Sequence, residues 1–280
     1  MKQIIYSDES HAKKIIDNIK WDWFDKLHIL ADFDRTLTYS FVDWEKKSSL
    51  ISVIRKNPKY LGQEYSTKAN ALFDNYHPIE IDVNIPMEEK IIKMSEWWRA
   101  HLSLLVESWL NKKHIDEAVN SGIIKMRSWV VELLNFLDIH QIPLIILSAN
   151  GLWWDSIIDY LKFNDLYTSN VEIVSNKFKF DNEGNAVWYD RNVIHVFNKW
   201  EVAFSSFPEV EEKIKNRTNI ILLGDSLWDP HMADGAEYDN LLKIWFYNEL
   251  DDTKLPHYLE KYDMLLTWDS DWDILNGFLK

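Results

Sequence analysis

Short apolar runs with polar ends punctuate the chain, and six of them have the length and composition of strands: Leu27 to Phe33, Pro143 to Ser148, Val171 to Val174, Asn219 to Asp225, Leu242 to Tyr247 and Met264 to Trp268. Most are rich in Ile, Leu and Val at consecutive rather than alternate positions, the pattern of strands covered on both faces. Helical periodicity lies between them, as in the amphipathic stretch Met126 to Leu137 that leads back to the run at Pro143. The alternation predicts an α/β fold: a parallel sheet flanked by helices, binding its ligand beyond the carboxyl ends of the strands. Three runs end in polar side chains, Asp32 with Asp34, Ser148 with Asn150, and Asp225, which points to one site at that edge.

More than a hundred residues separate the first run from the second, far more than a crossover needs. An inserted helical cap over residues 45–119 accounts for them, leaving a core of residues 1–44 and 120–280. The cap is expected to hold a helix near Ser66 to Tyr76, a second from Met87 to about Leu110, and a third opening near Asp116. Phe178-Lys179-Phe180 followed by Asp181-Asn182-Glu183-Gly184-Asn185 reads as a surface hairpin.

Composition narrows the functional classes. With 46% hydrophobic residues, 15 Trp, 12 Tyr and 13 Phe against only 7 Gly and 7 Pro, the 280-residue chain is a folded globule of long elements. Its net charge of −14 disfavours nucleic-acid polymers and anionic membranes as partners, and a small anionic substrate needs a local cation and placed donors to be held at all. The absence of Cys excludes disulfides and thiolate catalysis, so any metal takes oxygen or imidazole ligands. No apolar run can cross a bilayer, and the first residues lack the basic start and apolar centre of a secretory leader. A cytoplasmic monomer is expected.

Four local patterns carry chemistry. In Asp32-Phe33-Asp34-Arg35-Thr36-Leu37-Thr38, residues two apart on an extended segment turn both carboxylates to one side. One carboxylate can attack phosphorus to give an acyl phosphate while the other moves protons to and from the departing oxygen. Gly224-Asp225-Ser226-Leu227-Trp228-Asp229 supplies two more carboxylates after another strand. Magnesium prefers oxygen ligands and takes few protein carboxylates, so Asp32, Asp225 and the Asp34 carbonyl suffice; Asp229 is either an outer ligand or a helix cap before Pro230. The Ser148 hydroxyl and the amides after it suit phosphate oxygens. Lys199 is either a cation balancing the carboxylates or a solvated surface lysine.

Taken in order, these patterns resemble the four motifs of the haloacid-dehalogenase (HAD) phosphatases. Tyr76-His77-Pro78-Ile79-Glu80-Ile81-Asp82, Glu88-Glu89-Lys90, Met94-Ser95-Glu96-Trp97-Trp98, Ile194-His195-Val196-Phe197-Asn198-Lys199 and Met232-Ala233-Asp234-Gly235 are similar to the cytosolic 5'-nucleotidase III, or pyrimidine 5'-nucleotidase, family. The likeness spans roughly residues 25–268. It implies a HAD-like Rossmannoid core with a helical cap and magnesium-dependent hydrolysis of a nucleoside 5'-monophosphate. It further implies Asp32 as nucleophile, Asp34 as acid and base, and Asp32, Asp34 and Asp225 at the metal. Ser148, Ala149 and Lys199 would hold phosphate, and Glu80 would reach the nucleoside; taken without the resemblance, Glu80 is a cap-surface charge. The chain departs from the family where a ligand-contacting serine becomes His101, and in bringing Trp153, Trp154 and Trp228 to the pocket mouth. Those rings stack on a base or belong to the core or a partner surface. Another small phosphomonoester, or silent phosphoester binding, remains as an alternative.

Overall fold

The computed structural model describes residues 4–22, 24–82, 84–149, 154–200, 207–249, 251 and 253–267. Asn150, Gly151, Leu152, Trp153 and Trp268 lie outside these, as does the side chain of Trp154. The chain opens with β1 (Ile4–Tyr6), α1 (Glu9–Trp21) and β2 (Leu27–Ala31), then turns through the hairpin β3 (Phe41–Val42) and β4 (Glu45–Lys46). Four helices follow: α2 (Leu50–Lys56), α3 (Pro58–Ile81), α4 (Met87–Glu107) and α5 (Lys112–Val119). The remainder is α6 (Ser128–Ile139), β5 (Leu144–Leu147), α7 (Trp154–Phe163), β6 (Val171–Val174), the hairpin β7 (Phe178–Phe180) and β8 (Ala186–Tyr189), α8 (Pro208–Ile214), β9 (Asn219–Gly224), β10 (Asn240–Tyr247), α9 (Leu255–Leu259) and β11 (Met264–Thr267).

Seven strands form one sheet in the order β1-β11-β10-β9-β2-β5-β6, parallel from β11 to β6 and closed at one edge by antiparallel β1. All six expected strands are present. Alternate residues of the central strands enter different apolar clusters: Ile29, Ala31, Ile221 and Leu223 on one face, Leu30, Ile220 and Leu222 on the other. That two-sided burial is why the runs are continuously apolar, and each fully buried Ile or Leu stabilises the fold by about 1.5–3 kcal/mol. β2, β9 and β5 are neighbours, so the ends carrying Asp32, Asp225 and Ser148 come side by side.

Sequence reading passed over β1 and α1. β1 has only three residues at a sheet edge, too short a run to stand out. Asp8 caps α1 by accepting from the His11 amide, and Ala12, Ile15, Ile16 and Ile19 form its buried stripe.

Among the inserted helices, α3 is longer than expected at both ends and kinks at Gly62, whose φ of 81° suits glycine. Pro78 falls in its last turn and ends it three residues later rather than breaking it at Tyr76. α5 opens at Lys112, not near Asp116, because Asn111 and His114 form a reciprocal cap: the Asn111 side chain accepts from the Lys113 amide and His114 Nδ1 from the Asn111 amide. The expected boundary between residues 44 and 45 falls in the turn joining β3 to β4. No helix among the described residues is long and apolar enough to cross a membrane.

Candidate active site

Asp32 follows β2 directly, and its amide continues the sheet by donating to the Leu223 carbonyl at 3.0 Å. Its carboxylate is buried and meets Lys199 Nζ at 2.5 Å. The same ammonium donates to Asp229 Oδ1 at 2.9 Å, and Lys199 is itself only 4% exposed, which excludes the solvated-surface alternative. Carboxylate oxygens of Asp32, Asp225 and Asp229 lie within 4.8 Å of one another.

Burial and like charge dominate the electrostatics of this cluster. Burial lifts the Asp32 pKa well above its usual range, against the pull of Lys199 and with help from the neighbouring Asp229 and Asp225. Burial, then Asp229, raises Asp225 to about 7. Burial opposes the charge on Lys199, but Asp229 and Asp32 outweigh it and its pKa rises. An all-oxygen set of carboxylates that repel one another, two buried and Asp225 half-buried, fits a hard divalent cation such as magnesium.

The loop after β9 is built by close approach. A Cβ on Gly224 would lie 2.5 Å from Asp229 Cβ and 2.8 Å from the Tyr262 hydroxyl, so only glycine lets Asp229 fold back over the strand end. Asp229 Oδ2 then accepts from the amides of Asp225 and Ser226, both at 3.0 Å. With Oδ1 on Lys199, Asp229 serves as the brace of the loop. Two residues absent from the sequence analysis secure it: Trp245 Nε1 donates to the Asp225 carbonyl at 2.8 Å, and the Tyr262 hydroxyl to the Ser226 carbonyl at 2.5 Å.

Asp34 sits two residues beyond Asp32, outside that carboxylate group, and accepts from the Leu50 amide at the start of α2 at 3.3 Å. Burial raises its pKa to about 6, a range in which a carboxyl can both give and take a proton. Arg35 next to it adopts a left-handed φ of 66°. Thr38 Oγ1 accepts from the Arg35 amide at 2.9 Å, which accounts for the second threonine of the motif. Ser148 is buried one strand over, its amide donating to the Val174 carbonyl at 2.9 Å, and Ala149 is half-buried beside it.

Facing residues of α3 and α4 form a separate, aromatic group. Rings run from Phe73 through Trp97 and Trp98 to His101, with Tyr76 stacked on Trp97. Glu80 is half-buried and takes a 2.8 Å hydrogen bond with His77, whose ring stacks on Phe73. His101 is enclosed, shares a 3.1 Å hydrogen bond with the Tyr65 hydroxyl, and is kept neutral by burial, which lowers its pKa to about 3. Neither Glu80 nor His101 belongs to the carboxylate cluster. Two contacts join α4 to the strand-end loops. Lys90 donates to the Glu80 carbonyl at 3.0 Å while its ammonium lies 4.7 Å from the Trp228 ring, and His195 Nε2 meets Ser95 Oγ at 3.1 Å. Trp228 is thus a half-buried ring between α4 and the Asp225 loop.

Comparison with known proteins agrees with this architecture. The pyrimidine 5'-nucleotidase (UMPH-1) family model matches residues 35–280. The 7-methylguanosine phosphate-specific 5'-nucleotidase of Homo sapiens is 30% identical over 279 residues, covering 99% of this chain and 91% of its own. The crystal structure of cytosolic 5'-nucleotidase IIIB bound to cytidine superposes with a TM-score of 0.84 at 24% identity, over 99% of this chain and 92% of that one. A phosphoserine phosphatase solved as a phospho-aspartyl intermediate analogue superposes with a TM-score of 0.55 at 17% identity, over 91% of this chain and 99% of that one.

Proposed function

The chain belongs to the pyrimidine 5'-nucleotidase family, a 5'-nucleotidase and phosphoric monoester hydrolase on a HAD-type fold, and on that premise we propose that it hydrolyses pyrimidine nucleoside 5'-monophosphates through an aspartyl phosphate on Asp32. The observation that carries this reading is the set of buried Asp32, Lys199 and Asp229 with half-buried Asp225 at the strand ends.

An oxygen of Asp32 attacks phosphorus as the bond from phosphorus to the 5' oxygen breaks, and Asp34 gives its proton to that oxygen. Water then attacks the acyl phosphate, Asp34 takes the water's proton, and phosphate leaves with Asp32 restored. Lys199 pulls Asp32 toward its ionised, attacking form against the effect of burial and balances charge on the transferring group. Asp32, the Asp34 carbonyl and Asp225 would hold magnesium, with Asp229 behind them; when bound, the ion neutralises phosphate oxygens and draws charge from phosphorus. Ser148 and Ala149 hold phosphate oxygens. A phosphoserine phosphatase of like fold has been captured as a phospho-aspartyl intermediate analogue, which supports the covalent route by analogy.

Residues 45–119 act as the cap, with Glu80 accepting from an amine or ring N–H of the base. One observation favours a second base. The chain of Tyr76, Trp97, Trp98 and His101 rings would favour a cationic purine such as 7-methylguanine, since aromatic faces attract cations, and a relative carries specificity for 7-methylguanosine phosphate in its name. Phosphate release from CMP, UMP, GMP, 7-methylguanosine monophosphate and a set of sugar phosphates, with and without magnesium, decides between them. Preference for CMP or UMP upholds the pyrimidine reading, preference for the methylated purine replaces it, and cleavage of sugar phosphates alone overturns nucleotide specificity. A cytoplasmic enzyme acting as a monomer goes with this proposal.

A further inference from the structure

Arg127 is a fully buried arginine at the point where the chain returns from the inserted helices to the sheet. Its guanidinium reaches the loop that carries Asp34. Nη2 donates to the Arg35 carbonyl at 2.8 Å and to Asn248 Oδ1 at 2.7 Å, and Nε donates to the Thr38 carbonyl at 3.2 Å. Asn248, just past β10, turns its amide back on the same Arg35 carbonyl at 3.0 Å. Two donors from distant parts of the chain therefore converge on one carbonyl oxygen, that of the residue after Asp34. That residue is the one with the left-handed φ of 66°, a strained conformation for a non-glycine residue that persists only where its surroundings impose it. Backbone pairing reinforces the join: the Tyr39 amide donates to the Lys125 carbonyl at 2.9 Å and the Arg127 amide to the Leu37 carbonyl at 3.0 Å. The Arg127 cation also lies 4.7 Å from the Phe246 ring, which holds it in the core.

We propose that Arg127, with Asn248, is a positioning residue for the proton-transferring aspartate, fixing the Arg35 carbonyl and thereby the direction in which the Asp34 carboxyl faces the leaving oxygen. The inference rests on the reading of Asp34 as acid and base. Its consequence is selective: misplacing the acid slows the loss of a nucleoside alkoxide, which needs a proton, far more than the loss of p-nitrophenolate, which does not.

The test compares kcat and KM of the wild type, Arg127→Lys, Asn248→Ala and Asp34→Asn on a nucleoside monophosphate and on p-nitrophenyl phosphate, with thermal melts of each. Arg127→Lys keeps the charge and loses the fork; Asn248→Ala removes the second donor should the first variant fold poorly. The expected result is a fall in kcat/KM, which reports expulsion of the leaving group and not the later hydrolysis of the acyl phosphate, on the order of 100-fold on the nucleotide and a much smaller fall on p-nitrophenyl phosphate, following the pattern of Asp34→Asn. Equal losses of kcat/KM on the two esters in the folded Arg127 and Asn248 variants, or none, overturn the positioning role while leaving Asp34 as the acid. Equal losses of kcat/KM in Asp34→Asn overturn the acid assignment, and the positioning role with it.

Discussion

At the strand ends, charge is buried and braced by groups with fixed partners: Lys199 spans Asp32 and Asp229, and backbone amides hold Asp229. Between α3 and α4, the polar groups Glu80 and His101 are set among stacked rings and paired with the neighbouring side chains His77 and Tyr65. The first arrangement tolerates little change, because removing one member leaves a buried charge without its partner. The second can exchange one ring or amide for another and keep its packing, so it is where a substrate preference can drift while the chemistry stays.

The sharpest way to press that contrast is at its charged end. Lys199→Met should lower kcat by about 10² to 10³-fold on nucleotides and on p-nitrophenyl phosphate alike, since both need the same charge balance at phosphorus; a loss confined to nucleotides would move Lys199 to the substrate-reading side. Glu80→Ala should behave in the opposite way. Loss of a hydrogen bond to a charged group, about 1.5–3 kcal/mol, predicts roughly a 10- to 150-fold fall in kcat/KM for the preferred nucleotide and almost none for p-nitrophenyl phosphate, and equal losses would remove its base-reading role.

The core offers a smaller, graded effect through pH. Asp225 in the metal-free protein titrates at about 7, raised by burial and by Asp229, so below that pH a cation must displace a proton to bind. Magnesium affinity measured by calorimetry should fall by at least about tenfold per unit as the pH drops below 7. A flat profile from pH 8 to 6 would mean that Asp225 is not part of the metal site.

The same contrast explains what could be read in advance. Asp32 and Asp34 are two residues apart, and Gly224 and Asp229 five apart on a loop where a Cβ at Gly224 meets Asp229 at 2.5 Å; such constraints are local and leave a pattern in the chain. The strands were legible because burial on both faces makes them continuously apolar. Arg127, Trp245, Asn248 and Tyr262 act through contacts with residues at least 20 positions away, and nothing near them in sequence marks that role. In α1 the buried stripe at Ala12, Ile15, Ile16 and Ile19 is diluted by the charged and polar residues between them, so the segment reads as polar. His101 departs from the family serine, but its burial against Tyr65 follows from how α3 and α4 pack, which spacing along one helix does not convey.

The proposed mechanism requires a covalent bond between Asp32 and the transferred phosphoryl group. Its most direct test is turnover of the preferred nucleoside monophosphate, with magnesium and with chelator, by the wild type and by Asp32→Asn, followed by mass analysis of acid-quenched protein for a phosphoryl group on the peptide containing Asp32. Magnesium-dependent turnover and a phosphorylated peptide are expected in the wild type, and neither in a folded Asp32→Asn. Magnesium-dependent turnover retained by that variant would contradict the mechanism.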